Sequence, residues 1–158
     1  MRHASLRDLK AIYRHSTHTG TCSRVRQDKL RRRIEAHQCI WQDGVVITYQ
    51  QYRKRTAVGT VQVPAGAIML HQILNSRQFN GAGGAVFRQF VDEIVKPSGG
   101  DLYLSVRKEN MVACRFYERQ GMQVAGTVTW SRGSIPGLVY RLYERGTIST
   151  QARRTHHP

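Results

Sequence analysis

The alternation of apolar and polar positions divides the chain into short, recognisable elements. Leu6, Leu9, Ile12 and Tyr13 recur at helical spacing, and Ser5 and Asp8 just ahead of them have the spacing of a capping box. A short helix is predicted over residues 5–15, and the polar stretch 15–22 reads as a loop. Leu30 and Ile34 mark the apolar side of a second helix over residues 25–37. Residues 39–41, the Asp43-Gly44 turn and residues 45–52 form a hairpin pattern. Residues 58–63 read as a short strand or loop, ahead of a turn at 64–66. Residues 68–74 are almost continuously apolar, as expected of a central strand covered on both faces.

The stretch from 69 to 121 is the most regular part: strand, glycine turn, helix, strand, helix. Gln78-Phe79-Asn80-Gly81-Ala82-Gly83 separates the apolar strand from a helix whose stripe is Val86, Phe87, Phe90, Val91, Ile94 and Val95. Pro97 and Gly99-Gly100 are expected to end that helix. Leu102, Leu104 and Val106 predict the next strand. Asn110 then reads as the N-cap of a short helix carrying Val112, Ala113, Phe116 and Tyr117 inward, with Gly121 just past its end. Two final strands, over 122–130 and 138–143, close the pattern around Gly133 and Pro136. The chain reads as one mixed α/β (α+β) domain over residues 1–146, followed by a polar tail over 147–158 expected to be disordered.

The glycine turn carries the first chemical expectation. A turn of this kind entering a helix leaves several backbone N–H groups aimed at one spot. The helix dipole adds positive potential there, which suits phosphate or pyrophosphate.

Composition sharpens the picture through charge. The 158 residues hold 25 Lys and Arg against 10 Asp and Glu, a formal net charge of +15. Such a field attracts polyanions and disfavours polyamines, aminoglycosides and Lys-rich tails. Arg24, Arg26, Lys29, Arg31, Arg32 and Arg33 crowd the second helix, with only Asp28 and Glu35 to offset them. Arg53, Lys54 and Arg55 follow Tyr49 and Tyr52. Two readings stand side by side: a solvated basic surface whose one partner is a CoA-type anion, or a surface that binds nucleic acid. Cys22, Cys39 and Cys114 are odd in number and lack zinc-site spacing, so reduced thiols in a cytoplasm are expected and no metal is. No apolar run approaches membrane-spanning length, and no membrane partner is expected.

With these elements in order, the chain resembles the GNAT family of N-acetyltransferases. Two motifs carry the likeness. One is Q-x-x-G-x-G at Gln78, Gly81 and Gly83, opening a helix directly after a strand. The other is the run Val106, Asn110, Ala113, Phe116-Tyr117-Glu118, Gly121. The likeness is good from residue 68 to 130 and architectural elsewhere. Two positions depart from it, since the family usually has a basic residue where Asn80 stands and an aliphatic one where Gly84 stands.

The resemblance implies a central, mostly antiparallel mixed sheet flanked by helices, with central strands splayed at a cleft for acetyl-CoA. It implies that backbone N–H groups of Phe79, Asn80, Gly81, Ala82, Gly83 and Gly84 hold the CoA pyrophosphate, with Gln78 beside it. Backbone groups near Leu70 and Gln72 would polarise the thioester, and Asn110 would contact CoA as well as cap its helix. Tyr117 matches the family's tyrosine that protonates the leaving sulfur. The strand at 68–74 has no carboxylate, so His71 is its one candidate general base, with Ser105 on the next strand as a holder of water. Within the family, the charge points toward an amine on nucleic acid, as in enzymes that acetylate charged tRNA or phage enzymes of the Mom type. Acetylation of a protein or small-molecule amine remains open, and so does a non-catalytic module that binds CoA or nucleic acid. The oligomeric state is left open, a dimer included.

Overall fold

The structure, a computed structural model, describes residues 1–18, 27–75 and 82–143. A 3-10 turn at Leu6–Asp8 leads into α1 (Leu9–His18), and α2 spans Gln27–Glu35. Five strands follow: β1 (Cys39–Gln42), β2 (Val45–Gln51), β3 (Thr56–Val58), β4 (Val61–Val63) and β5 (Ile68–Asn75). Next come α3 (Ala82–Phe90), a π turn at Val91–Val95, α4 (Lys96–Ser98) and β6 (Leu102–Arg107). The described part closes with α5 (Met111–Arg119), β7 (Gln123–Trp130) and β8 (Ile135–Leu142). Six strands form one sheet in the order β1-β2-β5-β6-β8-β7, and β3 with β4 makes a separate ribbon. The pairs β1/β2, β6/β8 and β7/β8 are antiparallel. The fold class is therefore the expected one, a mixed α/β chain with a mostly antiparallel central sheet.

The chain divides into two compact units, and the core divides with it. The first unit holds Met1–Gln50 and Leu70–Glu93. Its apolar cluster joins Leu9 and Ile12 of α1, Leu30 and Ile34 of α2, and Cys39, Val46 and Leu74 from the strands. Three- and four-residue spacing puts each helical pair on one face. Burying each of these large side chains contributes roughly 1.5–3 kcal/mol. Ser5 closes the N-terminus: the Asp8 carboxylate accepts its N–H at 2.9 Å and its hydroxyl at 3.2 Å. α1 runs on to His18, so residues 15–18 are helical where a loop was expected. No glycine or proline interrupts the chain before Gly20. α2 stops where His37 takes a left-handed φ of 54°. The Tyr49 hydroxyl holds the carbonyl of His37 at 3.0 Å, which fixes that stop. The β1–β2 turn is the expected one, with φ of 52° at Asp43 and 75° at Gly44 matching the twist of the hairpin.

The second unit holds Gln51–Met69 and Ile94–Pro158. Its cluster is Val63, Ala67, Met69, Tyr103 and Val139. Residues 56–63 fold as a hairpin rather than one strand or a loop, because strands of three residues are too short to show a period of two. This hairpin is seated on β7, with the Thr60 N–H donating to the Thr127 carbonyl at 2.9 Å and the Thr127 N–H to Thr60 Oγ1 at 3.0 Å. Gly59 permits that approach. Its φ is +57°, and a Cβ there would lie 2.0 Å from the Thr127 carbonyl oxygen. Gly59→Ala should cost about 2–4 kcal/mol, read as a fall of roughly 5–15 °C in melting temperature. An unchanged midpoint would mean that the ribbon is not held in this way. α4 ends at Gly99 with φ of 75°, and Pro97 sits inside that last turn rather than stopping the helix before it.

Candidate functional site

Candidate residues fall in both units and are taken unit by unit. In the second unit, β6 delivers the chain to Asn110, whose Oδ1 accepts the Ala113 N–H at 3.2 Å and starts α5. A cap of this kind stabilises a helix by about 1 kcal/mol. α5 buries Cys114 and Tyr117, three residues apart on one face. Val112 was expected to point inward, but it is 60% exposed, and Met111 beside it is exposed too. The face set by Cys114 and Tyr117 turns both away from the sheet.

Tyr117 is 6% exposed. Its ring lies 6.1 Å from that of Tyr140 on β8 and 5.5 Å from that of Phe116. The Tyr140 hydroxyl donates to Glu118 Oε1 at 2.9 Å. Burial, followed by the bond to the Glu118 carboxylate, pushes the Tyr140 phenol up. Tyr140 thus keeps its proton and stays bound to Glu118, a packing partner rather than a second acid.

Ser105 does not share this face. Leu104 stands opposite Tyr140 and Ser105 opposite Val139, and neighbours along a strand point to opposite sides. Val139 belongs to the cluster with Tyr103 on the other side of the sheet. Tyr117 and Ser105 therefore lie on opposite faces of the β6–β8 pair.

In the first unit, β5 carries Leu70, buried, Gln72, half-buried, and His71, exposed. His71 Nε2 lies 3.2 Å from Gln50 Oε1 at the end of β2. The same oxygen accepts from Arg33 Nη1 at 3.3 Å, and Arg33 Nη1 also donates to Gln38 Oε1 at 2.9 Å. Gln50 thus ties a helix arginine to a strand histidine. Desolvation of the ring, then repulsion from Arg33 and Lys29, pushes His71 down to about 4. The imidazole is neutral at pH 7. Burial and His37 also lower His3, whose Nε2 lies 3.1 Å from the Tyr49 hydroxyl.

Both shifts favour the neutral form in the folded state, so the unfolded chain binds more protons once the pH drops below the ordinary histidine value. Stability is complete above about pH 6.5 and falls as the pH drops toward 4. For His71 the loss should be about 1–2 kcal/mol after discounting an exposed ring for solvent screening. Melting temperatures measured between pH 7.5 and 4.5 should fall, and His71→Gln should remove part of that fall. An identical profile in the variant would contradict the assignment.

Of the glycine turn, Ala82, Gly83 and Gly84 form the first turn of α3, Gly83 buried and Gly84 half-buried. Gln78, Phe79, Asn80 and Gly81 lie outside the described residues, as do Arg24, Arg26 and the 147–158 tail. Lys29, Arg31 and Arg32 are exposed on α2 and Arg33 is half-buried. Arg53, Lys54 and Arg55 are exposed in the bend between β2 and β3. Cys39 and Cys114 are free and buried. Among the described residues, no group of three or more His, Cys, Asp or Glu could hold a metal, and no helix is long and apolar enough to cross a membrane. Gln38 and the bridging role of Gln50 had no signal in the sequence, since nothing local marks a strand-end glutamine for a partner seventeen residues upstream.

The family model described as FR47-like protein matches residues 47–131, more than half of the 158 residues. No curated protein matches the chain in sequence. Solved acetyltransferases share its fold. The ribosomal-protein-S18-alanine N-acetyltransferase of Escherichia coli aligns with a TM-score of 0.65 at 19% identity, over 88% of this chain and 89% of that one. The ribosomal-protein-alanine N-acetyltransferase of Brucella melitensis gives 0.67 at 15% identity, over 90% and 98%. The PaiA N-acetyltransferase of Thermoplasma acidophilum, solved with coenzyme A, gives 0.68 at 17% identity, over 90% and 97%.

Proposed function

Because the chain belongs to the FR47-like family, we propose that it is an acetyl-CoA-dependent N-acetyltransferase whose acceptor amine is carried on or beside a nucleic acid. The observation that carries the activity is α5, capped by Asn110 directly after β6 and holding Tyr117 on its buried face. It occurs in a fold shared with acetyltransferases, one of them solved with coenzyme A.

The residues present fit that cofactor. Gly83 and Gly84 open α3 without side chains, so a pyrophosphate can approach their backbone N–H groups at the positive end of the helix. Asn110 has the cap geometry expected of the CoA-contacting asparagine. Bound acetyl-CoA supplies the acetyl group as an activated thioester. Backbone N–H groups near Leu70 and Gln72 are assigned to the carbonyl oxygen. Tyr117 Oη gives its proton to the departing sulfur. His71, neutral at pH 7, receives the proton that the acceptor nitrogen loses.

The acceptor class rests on charge. The exposed cations of α2 in one unit, and Arg53, Lys54 and Arg55 in the other, suit a phosphate backbone. Label from acetyl-CoA should appear in charged tRNA or duplex DNA and be released by nuclease. Label in an alanine-initiated peptide, with none in nucleic acid, would overturn the acceptor assignment. A second reading, a binding module without turnover, draws on the low basicity of His71 and the lack of any carboxylate on β5 or β6. It predicts acetyl-CoA binding with no label in any acceptor.

A further inference from the structure

The strands β6, β7 and β8 all lie in the second unit, and the tip of the β7–β8 hairpin has no role in the transfer chemistry. In the register of the sheet, Val128 of β7 stands opposite Gly137 of β8, and Gly137 stands opposite Arg107 of β6. Residues opposite one another share a face, and so do residues two apart along a strand. Trp130, Gly137 and Arg107 therefore lie on one face, in neighbouring positions across three strands. Gly137 lets the indole lie down there. A Cβ at Gly137 would fall 2.3 Å from Trp130 Cζ3 and 2.7 Å from its Cη2. The benzo edge of the indole thus rests against the β8 backbone, and the side chain as a whole is only half-buried.

Cations frame this ring. Arg107 continues into Lys108, whose N–H donates to the Pro136 carbonyl at 3.0 Å, so the exit of β6 is held beside the hairpin. Beyond Trp130 the chain turns through Ser131 and Arg132 at φ of 50° and 56°, then Gly133 at 92°. The Ser131 carbonyl accepts from the Ser134 N–H at 3.3 Å and from its hydroxyl at 2.8 Å, which holds the turn. Left-handed φ is unfavourable for residues with a side chain, and it persists where the surroundings fix the shape. Arg107, Lys108 and Arg132 are exposed. Glu109 pairs with Arg107 at 3.6 Å, with both side chains more than half exposed, and such a pair is easily exchanged for another anion.

A flat indole framed by Arg and Lys complements a nucleobase and the phosphates that flank it: bases stack on the ring, and phosphates meet the cations. A base inside a duplex is already stacked and paired, so only an unpaired base can reach the ring.

We propose that the β7–β8 tip is a docking surface for single-stranded nucleic acid. Trp130 stacks on an unpaired base, and Arg107, Lys108 and Arg132 contact the flanking phosphates. The proposal rests on the nucleic-acid reading of the acceptor and adds to it a strand preference and a named base contact.

The test uses the full chain with a labelled oligodeoxythymidylate, a blunt duplex of equal length, and AMP and acetyl-CoA as free nucleotides. Trp130→Ala should weaken single-strand binding about tenfold and leave duplex binding within about twofold, whereas Trp130→Phe, which keeps an aromatic face, should retain most of the affinity. Lys108→Gln with Arg132→Gln should lower the slope of log affinity against log salt for the single strand by about 1.4. The single strand should quench indole fluorescence saturably, and Trp130→Phe should abolish that quench while Trp41 still emits. Should Trp130→Ala fold poorly, the Phe variant and the exposed double variant carry the test. Unchanged single-strand affinity in Trp130→Ala would overturn the proposal. So would an equal loss of duplex binding, or a quench by AMP or acetyl-CoA at comparable affinity. Transfer of label to nucleic acid with Trp130→Ala binding unchanged sinks only this surface. Label in a peptide alone, with the Trp130-dependent single-strand binding intact, sinks only the acceptor reading.

Discussion

Replacing Tyr117 with Phe should lower kcat for acetyl transfer by at least about 100-fold, within the range expected when a positioned proton donor is removed. Affinity for CoA should stay within about twofold. The substitution is informative because it leaves the ring in place. The Tyr117 ring packs against Tyr140 at 6.1 Å and Phe116 at 5.5 Å on the buried side of α5, and Phe preserves that volume. The stability change should be within about 1–2 kcal/mol, the scale of one hydroxyl hydrogen bond. Tyr140 cannot take over, since its proton is pushed up in affinity and held by Glu118. A purely structural tyrosine predicts unchanged kcat. Thiol release and calorimetric CoA binding on the same preparation separate the two.

Nucleic-acid binding should weaken steeply with salt. If six or more phosphates are neutralised, affinity should drop by at least about a thousandfold between 50 and 200 mM salt, because each contact releases condensed counterions. Arg31→Gln with Arg32→Gln should reduce the slope of log affinity against log salt by about 2, one for each exposed α2 cation removed. Neither residue lies in the Arg33–Gln50–His71 chain, so acetyl transfer to small amines should persist. A salt-independent affinity, or a slope unaffected by the double substitution, would leave α2 as a merely solvated face.

Much of this architecture is legible in the sequence where local rules act alone. Whereas the stripe read as one helix from Val86 to Val95 divides into α3 and the π turn Val91–Val95, the apolar run of β5 and the cap at Asn110 are local signals that fold as a strand and a capped helix. The same holds for the Asp43-Gly44 hairpin, where two left-handed residues are required. Short or tertiary features are not legible in this way. The three-residue strands β3 and β4 carry no period, and the ribbon depends on Gly59 meeting Thr127 across the fold. Val112 was placed inward from its hydrophobicity, but the helix phase is set by Cys114 and Tyr117. The side taken by Ser105 follows from alternation with Leu104 and Val106, a rule available in the sequence that bears directly on which residues share a face with Tyr117. The tie from Arg33 through Gln50 to His71 joins a helix and two strands, and no local pattern encodes it.

The central claim, a cofactor site that begins at Gly83 and Gly84 and ends in transfer, is tested most directly by thermal stabilisation with acetyl-CoA. A ligand at one hundred times its dissociation constant stabilises the folded state by about 2.7 kcal/mol, a rise of roughly 5–10 °C for a chain of this size. The account predicts such a rise with acetyl-CoA and with CoA. An unchanged midpoint with both at millimolar concentration would contradict it, and would mean that the fold is present without the site.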